Sequence, residues 1–437
     1  MRTLPHELAA MLLLVAISSA SMADTRAFVG AKIIPIDGDP IENGVLLVVD
    51  DSIGAVGSRD EVSIPDGAEI VALDSDTVIM PGIVDTHSHV GDVSGGDRSG
   101  PIQPEARAMD SVNVRSSGIK RALAGGITSV NVMPGSGHLI SGQTVYLKLR
   151  DGNAITDLAY RFDDGEIAGG LKMANGTNSI REAPFPGTRA KSAALVRAAY
   201  IKAQEYAEKV DAAAEGEAPP RDLGLEALGE VLSGKRMVHF HSHRHDDLMT
   251  AMRLQDEFGF RMVLHHTSEA YRVADEIAAA DVPVSLILID SPGGKLEARN
   301  LRAESAPALE RAGAKVALHT DDWVTDSRYF LRMAAMAVRA GMSREAALES
   351  LTIRGAEMLD LADRTGTLTP GKDADFVILS GDPLSVYTRV LETWVEGERR
   401  FDLDDEDDRL VAEGGFNALS DDDGNGHIHG HGHGDMQ

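Results

Sequence analysis

The spacing of hydrophobic residues changes twice along the chain. Between residues 26 and 78, short apolar runs are broken by Gly, Asp and Pro, which is typical of β-strands joined by tight turns. After Pro81, strand-like apolar runs alternate with alanine-rich amphipathic stretches such as SAALVRAAYIKAQEYAEKV. Near Thr365 the short strand-like runs return. Alternating strands and helices predict parallel strands with crossover helices, and about eight such units would close a barrel.

This pattern divides the 437 residues into a central α/β segment and two flanking β segments. We expect the central segment, residues 79–364, to form a barrel. The flanking residues, 24–78 and 365–401, are expected to pair into one small composite β-sandwich domain beside it. Single α/β barrels of about 250 residues are common, so the length agrees with this division.

The N-terminus, MRTLPHELAAMLLLVAISSASMADT, has the composition of a targeting segment. One arginine precedes an apolar run from Leu8 to Ile17, and small residues follow up to Ala23. This is typical of a cleaved secretory signal over residues 1–23, with a buried N-terminal helix as the alternative. The apolar run is too short to span a bilayer. We therefore expect an exported protein, periplasmic or secreted, without a membrane span in its mature form.

The charge of the chain is strongly acidic. A formal net charge of −27 would repel a polyanion, so we expect a small-molecule substrate and no nucleic-acid partner. Much of the excess lies in DLDDEDD, residues 402–408, and DDD, residues 421–423. Residues 402–437 are predicted to form a disordered, acidic, His-rich tail. Its end, HIHGHGHGD, could also gather zinc or nickel. A homo-oligomer is compatible with the sequence.

The histidines are distributed unevenly. Of the 15, one lies in the signal and four lie in the tail, and the predicted helices contain none. The other ten fall at predicted strand ends or in the loops that follow. They are His87, His89, His138, His239, His241, His243, His245, His265, His266 and His319. Because the carboxyl ends of barrel strands converge on one face, and imidazole is a common ligand of zinc, this distribution predicts a metal site.

Lys172, in GLKMANG, lies at the expected end of a barrel strand. A lysine ammonium there would be repelled by a metal ion. An uncharged lysine amine, however, can react with carbon dioxide to give a carbamate, an anionic ligand with two oxygens that can bridge two metals. The alternative is a lysine that extends to solvent or pairs with an acid.

Six motifs occur in the following order along the chain: PGIVDTHSHVG, GLKMANG, VHFHSH, VLHHTS, LHTDD and GTLTPGKDADFVILSGDP. In this order the chain resembles the metal-dependent amidohydrolase superfamily, and more narrowly its imidazolonepropionase-like branch, which includes prolidase-type dipeptidases. The resemblance covers roughly residues 26 to 400. It implies a distorted TIM-type (β/α)8 barrel with a composite β domain and a centre of one or two metals.

The resemblance also implies a ligand set. His87 and His89 match the histidine pair of the first strand, and Lys172 matches the carbamylated bridging lysine. The fifth-strand histidine, the sixth-strand histidine and the eighth-strand aspartate match His241, His266 and Asp321. His239 or His243 could replace His241, and His265 could replace His266. The expected cofactor is a pair of divalent ions, two Zn²⁺, with carbamylated Lys172.

The chemistry expected of such a centre is hydrolysis of an amide-type C–N bond, in a dipeptide or a cyclic amide, by a metal-bridging hydroxide. Asp321 is the candidate acid/base, and His243 or His138 could donate to the oxyanion. Arg98 and Lys295, in loops after strands, could hold a substrate carboxylate.

Three other functions compete with amide hydrolysis. A mononuclear deaminase would normally carry a glutamate shortly after the fifth-strand histidine, where this chain has SHRH, residues 242–245. Cleavage of a lactone, ester or phosphotriester would use the same metal centre. A non-catalytic binding protein would normally have lost ligands, whereas this sequence has a full set.

Overall fold

The structure is a computed structural model of the whole chain. It describes residues 24–93, 96–214, 216–289, 295–322 and 324–415. The predicted signal, residues 1–23, and the His-rich end of the tail, residues 416–437, lie outside the described residues. None of the described helices is long and apolar enough to cross a membrane.

Eighteen strands lie in the described part of the chain. They are β1 (Thr25–Val29), β2 (Lys32–Ile33), β3 (Gly44–Val49), β4 (Ser52–Ser58), β5 (Glu69–Ala72), β6 (Val78–Pro81), β7 (Ile83–Ser88), β8 (Ile127–Val132), β9 (Ile140–Gln143), β10 (Val145–Lys148), β11 (Leu171–Ala174), β12 (Val238–Ser242), β13 (Met262–His266), β14 (Val284–Leu286), β15 (Val316–Leu318), β16 (Phe376–Leu379), β17 (Val390–Val395) and β18 (Glu398–Asp402).

Eleven α-helices connect or follow these strands within the described ranges. They are α1 (Ser117–Ala124), α2 (Ile155–Leu158), α3 (Arg189–Asp211), α4 (Leu223–Leu232), α5 (His245–Phe258), α6 (Ala274–Ala279), α7 (Ser305–Ala312), α8 (Phe330–Arg339), α9 (Arg344–Leu351), α10 (Ile353–Met358) and α11 (Glu406–Glu413).

Local side chains set several of the helix boundaries. The side chain of Thr188 caps α3 by accepting a hydrogen bond from Lys191 N, and Asp222 caps α4 in the same way. The helix that follows β12, α5, ends at Gly259, whose φ of 73° suits glycine because it has no Cβ to clash. These caps fix where the crossover segments between strands begin and end.

Strands from the two ends of the chain share a sheet. β16 pairs antiparallel with β6, and the full order of this five-stranded sheet is β18-β17-β16-β6-β2. A second sheet has the order β4-β3-β1-β5. Phe28 of β1 packs edge-on against Phe376 of β16 and Trp394 of β17, with ring centroids 4.9 and 5.0 Å apart. The N-terminal and C-terminal β segments therefore pack around a common apolar core.

The middle of the chain forms two further sheets, ordered β10-β8-β7 and β15-β14-β13-β12-β11-β9. The strands from β11 to β15 are all parallel, as are β7 and β8. By contrast, β9 pairs antiparallel with β11, and β10 pairs antiparallel with β8. This confirms the α/β class. No strand ladder joins the two sheets in the described residues, but Asp321 N, just after β15, donates to His87 O in β7 at 2.9 Å.

Side chains alternate along β12, β13 and β15, as the pleat of a strand requires. One set, which includes Phe240 and Leu264, packs into the main hydrophobic core with the helices. The other set faces a small separate cluster of Met237, Val263, Ala317 and Met358. His239, His265 and His319 lie two residues after Met237, Val263 and Ala317, respectively. The inner face of the sheet thus changes from apolar to imidazole toward the carboxyl ends of the strands.

The acidic run near residue 405 corrects one expectation. It was predicted to belong to a disordered tail, but Glu406–Glu413 forms α11. The side chain of Asp405 caps this helix, and its acidic first turn suits the positive end of the helix dipole. Val411 is buried, and Arg328 Nη1 donates to Val411 O at 3.0 Å. The prediction of disorder is therefore wrong for this segment.

Candidate metal centre

The first part of the centre joins the ends of two strands. His87 lies in β7, His89 follows the same strand, and Asp321 comes shortly after β15. Asp321 Oδ1 lies 3.3 Å from His87 Nε2 and 3.0 Å from His89 Nε2. These three residues offer ligand atoms that all lie within 4.8 Å of one another. Two imidazoles and a carboxylate in this arrangement suit a zinc-like ion.

Both histidines are held by their second ring nitrogen. His89 Nδ1 lies 2.8 Å from the carbonyl oxygen of Met133, which can only accept, so Nδ1 donates. Nε2 of His89 is therefore the ring nitrogen that faces Asp321. The Nδ1 atom of His87 lies 3.2 Å from His265 Nδ1. Metal-binding histidines are commonly fixed in this way by a partner on the other nitrogen.

Lys172 lies in the same cluster, fully buried in β11. Its Nζ is 3.1 Å from His87 Nε2 and 3.0 Å from Met133 Sδ. Burial lowers the pKa of Lys172 to about 7, so a large fraction of the amine is uncharged near neutral pH. No carboxylate of the described residues lies within ion-pair distance of Nζ. The alternative of a lysine paired with an acid is therefore not what the structure contains.

The second part of the centre is a histidine cluster at the ends of β12 and β13. The ring of His241 lies 4.3 Å from that of His266 and 4.7 Å from that of His243, between centroids. His241 Nδ1, His243 Nε2 and His266 Nε2 are buried and have no hydrogen-bond partner among the described residues. Since an unpartnered buried nitrogen is costly, these atoms fit a ligand that pairs with them, either a metal that accepts a lone pair or an oxygen that accepts an N–H.

His265 and His266 are consecutive, yet both side chains reach the cluster. Successive residues of a strand normally point to opposite faces. His266 has a φ of 70° and Thr267 a φ of 47°, both in the left-handed region. This turn of the backbone at the end of β13 redirects His266 toward Asp321 Oδ2, 3.8 Å away. Strained φ values of this kind are concentrated at functional sites.

The geometry separates the alternatives that the sequence left open. His239 bonds to Tyr146 and His265, and His265 bonds to His87 and His239, so neither has an unpartnered nitrogen. His241 and His266 each have one. His243 also has one, while its Nδ1 lies 2.7 Å from Ser268 Oγ. The structure thus favours His241 and His266 as ligands and leaves His243 facing the same space.

Lys295 and Asn178 reach the outer edge of this cluster. Lys295 Nζ lies 2.7 Å from Asn178 Oδ1 and 3.3 Å from His241 Nε2. Desolvation of its ammonium group lowers the pKa of Lys295 to about 8, although Glu297 and Asp321 oppose the shift. A cation is therefore placed beside the candidate ligands, at a position where an anionic group of a substrate could be held.

His138 occupies a different environment. It is buried, its ring lies 5.3 Å from that of Phe185, and burial lowers its pKa. No hydrogen bond or ring contact in the described residues joins His138 to the ligand cluster. Its role as an oxyanion donor stays a prediction.

Sequence reasoning included three further histidines in the predicted metal site but did not separate them from the ligands as a layer beneath. His239, His265 and His319 are each 0% exposed. Each lies one or two residues before a proposed metal ligand in the sequence. Burial lowers the pKa values of His239 and His319 to about 3, and that of His265 well below its usual range. The signal was present in the sequence, since HFH and LHT place histidines on the inward face of two strands.

Comparison with known proteins agrees with this geometry. A family model described as "Amidohydrolase family" matches residues 78–405. Because the match covers most of the chain, the chain belongs to the amidohydrolase family. The prediction of a hydrolase of this type, with a candidate site for a divalent metal, is thereby confirmed.

Individual relatives are more distant. Amidohydrolase tasK of Hapsidospora irregularis is 28% identical over 394 residues, which are 83% of this chain and 39% of that protein. The chain therefore spans about two fifths of the length of that curated relative. Imidazolonepropionase of Pseudomonas putida is 26% identical over 373 residues, covering 77% of this chain and 87% of that protein.

Solved structures show the same fold. An amidohydrolase from Thermotoga maritima MSB8 superposes with a TM-score of 0.79 at 34% identity, covering 86% of this chain and 99% of that chain. A prolidase complexed with N-methylphosphonate-L-proline gives a TM-score of 0.55 at 17% identity, with the same coverage of both chains. The second likeness concerns the fold alone.

Proposed function

We propose that the protein is an exported, metal-dependent amidohydrolase that cleaves an amide-type C–N bond of a small molecule. The observation that carries the proposal is the meeting of six potential ligands from distant strands at one place. They are His87, His89, Lys172, His241, His266 and Asp321. Membership of the amidohydrolase family supports the same conclusion.

The residues divide into two groups that would hold two divalent ions, most simply Zn²⁺. His87, His89 and Asp321 would hold one ion, and His241 and His266 the other. Lys172, as a carbamate, would join the two groups. Carbamate formation needs a neutral amine to attack carbon dioxide and release one proton. The burial of Lys172 and its lack of an acidic partner support this modification.

When bound, such ions acidify a water molecule and polarise a carbonyl group. The chain supplies the remaining functions. The Asp321 carboxylate would accept a proton from the water and pass it to the leaving amine nitrogen. His243 Nε2, unpartnered among the described residues, would donate to the carbonyl oxygen as negative charge develops there, with His243 Nδ1 accepting from the Ser268 hydroxyl.

The proposal includes the fold around the site. The sheets β10-β8-β7 and β15-β14-β13-β12-β11-β9 would be the two parts of one distorted (β/α)8 barrel. The hydrogen bonds of Thr320 N to Asp85 Oδ1 and of Asp321 N to His87 O support adjacency of the first and last strands. The five-stranded sheet shared by both chain ends would belong to a composite β domain.

The substrate is proposed to carry a carboxylate near its scissile bond, as a dipeptide does. Lys295 beside His241 supports this, and the imidazolonepropionase and prolidase relatives make cyclic amides and proline dipeptides reasonable members of a screen.

A hydrolysis screen tests the proposal. The zinc-loaded protein is assayed against dipeptides, N-acyl amino acids, cyclic amides and lactones, beside the double variant with His87→Ala and His89→Ala. We expect turnover of at least one amide that the double variant lacks. Turnover of lactones alone would move the function to ester-type hydrolysis, and turnover of no substrate by zinc-saturated protein would overturn the proposal.

A further inference from the structure

The three buried histidines beneath the ligands form what we call the inner histidine layer: His239, His265 and His319. All three are 0% exposed. They come from β12, from β13 and from the residue after β15. The ring of His265 lies 5.1 Å from that of His239 and 5.5 Å from that of His319, between centroids. Burying polar rings so deeply needs a compensating set of hydrogen bonds. The structure contains such a set, which is arranged as two chains of hydrogen bonds within the protein.

The first chain begins at a proposed ligand. His87 Nδ1 lies 3.2 Å from His265 Nδ1, and His265 Nε2 lies 2.9 Å from His239 Nδ1. His239 Nε2 in turn lies 2.9 Å from the hydroxyl of Tyr146. Four buried side chains are thus joined in series, and each imidazole uses both of its nitrogens.

The second chain begins at another proposed ligand. His266 Nδ1 lies 3.1 Å from His319 Nε2, and His319 Nδ1 lies 2.7 Å from Ser285 Oγ. The Ser285 hydroxyl lies 2.6 Å from Thr86 Oγ1. The chain ends on a hydroxyl pair, which can accept or donate at either oxygen.

A neutral imidazole carries one N–H and one lone pair, so fixing one nitrogen fixes the other. If His87 keeps its lone pair on Nε2, its Nδ1–H must donate to His265 Nδ1. His265 must then donate from Nε2 to His239, which donates from Nε2 to Tyr146. The same logic runs from His266 through His319 to Ser285. This arrangement satisfies every bond in both chains. The reverse arrangement, in which the Tyr146 and Ser285 hydroxyls donate, also satisfies them, but it places the hydrogen of His87 and His266 on Nε2. Only the first arrangement leaves the Nε2 lone pairs for a metal.

We propose that the inner histidine layer is a positioning device that locks His87 and His266 in the tautomer with Nδ1–H, so that Nε2 is presented to metal. The inference rests on the proposed function for the identity of the ligands. It assigns to three residues outside the ligand set a role in metal affinity. Outer partners of ligand histidines typically change metal affinity by about 10- to 100-fold when removed.

The same atoms allow a competing interpretation, a further metal site within the layer. His87, His265 and His319 offer nitrogens within 4.8 Å of one another. However, all six ring nitrogens of the inner histidine layer have hydrogen-bond partners, whereas His241 Nδ1 and His266 Nε2 have none in the described residues. The layer therefore holds protons, and the free lone pairs lie above it.

The test combines tautomer measurement with zinc affinity in the full chain. Two-bond proton–nitrogen correlation spectra of histidine-labelled, metal-free protein report which ring nitrogen carries hydrogen. We expect His87 and His266 to be protonated at Nδ1 alone. Protonation of His87 at Nε2 would overturn the proposal, and this reading needs no substitution in the layer.

Two variants of one residue then separate positioning from packing. His265→Leu removes the acceptor for His87 Nδ1–H, and we expect zinc affinity, measured by chelator competition, to fall by about 10- to 100-fold. His265→Asn places an oxygen near the former Nδ1 and should recover most of that affinity. Tyr200→Phe, which removes a buried hydroxyl bonded to Met173 Sδ outside both chains, is the control and should bind zinc normally.

Two results contradict the proposal. Equal zinc affinity in His265→Leu and the unaltered protein would show that the layer does not position a ligand. Loss of a whole equivalent of bound zinc in that variant, with the other sites unchanged, would assign a metal to the layer itself. Failure of the hydrolysis screen affects neither measurement, so the inference and the proposed function can fail separately.

Discussion

The proposed ligands and the inner histidine layer are made of the same side chain but differ in one respect. Among the ligands, His241 Nδ1 and His266 Nε2 are buried without partners in the described residues. In the layer, only a residue or two away along each strand, every ring nitrogen is hydrogen-bonded. His241, His266 and the three layer histidines are all buried. At the ends of β12 and β13, a ring nitrogen without a partner therefore distinguishes the proposed ligands from the layer. His87 and His89 are distinguished from the layer instead by Asp321, which lies beside Nε2 of both.

The largest effect is expected when ligands are removed while the layer is left intact. Replacing His87 and His89 together by alanine should abolish turnover and tightly bound zinc, because two of the three ligands of one ion are lost. Elemental analysis after dialysis measures the zinc content. Unchanged zinc in this double variant would refute the division between ligands and layer.

Lys172→Ala should lower turnover to background, and short carboxylic acids should restore part of it by replacing the carbamate. Because only the neutral amine reacts with carbon dioxide and the pKa of Lys172 is about 7, raising the pH toward 7 increases the neutral fraction. At a constant concentration of dissolved carbon dioxide, reactivation of decarbamylated protein with zinc should therefore quicken through pH 7 and level off about one pH unit above the pKa. A reactivation rate that falls over this range would contradict the carbamate.

His243→Ala tests whether the third unpartnered nitrogen is a ligand or an oxyanion donor. As a donor, its loss should lower kcat by about 100- to 1000-fold with the zinc content unchanged. Stopped assays and elemental analysis on the same preparation separate the two roles. A matching loss of zinc would place His243 among the ligands.

The smallest effect is expected at the edge of the site. Lys295→Met should raise KM by about 10- to 100-fold for a substrate with a free carboxylate, because one charge-assisted hydrogen bond is lost. The carboxamide form of the same substrate is the matched control and should be little affected. Equal changes for both substrates would remove Lys295 from carboxylate binding.

Much of this architecture follows from the sequence because it depends on periodicity. Alternation of apolar runs and amphipathic stretches gave the α/β class, and histidines two positions apart in THSH and HFH share a face of their strands. The proximity of His87, His89 and Asp321 then follows from the convergence of strand ends, and the ligand set from family motifs. One element in this part of the account was not predicted. The residues of α11 were predicted to belong to a disordered tail, but they form a helix with an acidic N-cap and one buried valine.

The other features of the site could not be predicted from the spacing of hydrophobic and polar residues. His266 reaches the site only because its φ is 70°, so the sequence pattern alone could not choose it over His265. The inner histidine layer depends on hydrogen bonds between strands whose register is fixed by the whole sheet. His138, which was predicted to lie in a loop after a strand and to be a possible oxyanion donor, packs against Phe185.

The most direct test of the account is an anomalous-difference map at the zinc absorption edge from crystals of the zinc-loaded protein. The account predicts peaks bounded by His87, His89, Asp321 and Lys172 and by His241 and His266, with none in the inner histidine layer. A peak held by His265 and His319, or no peak beside Asp321, would contradict it.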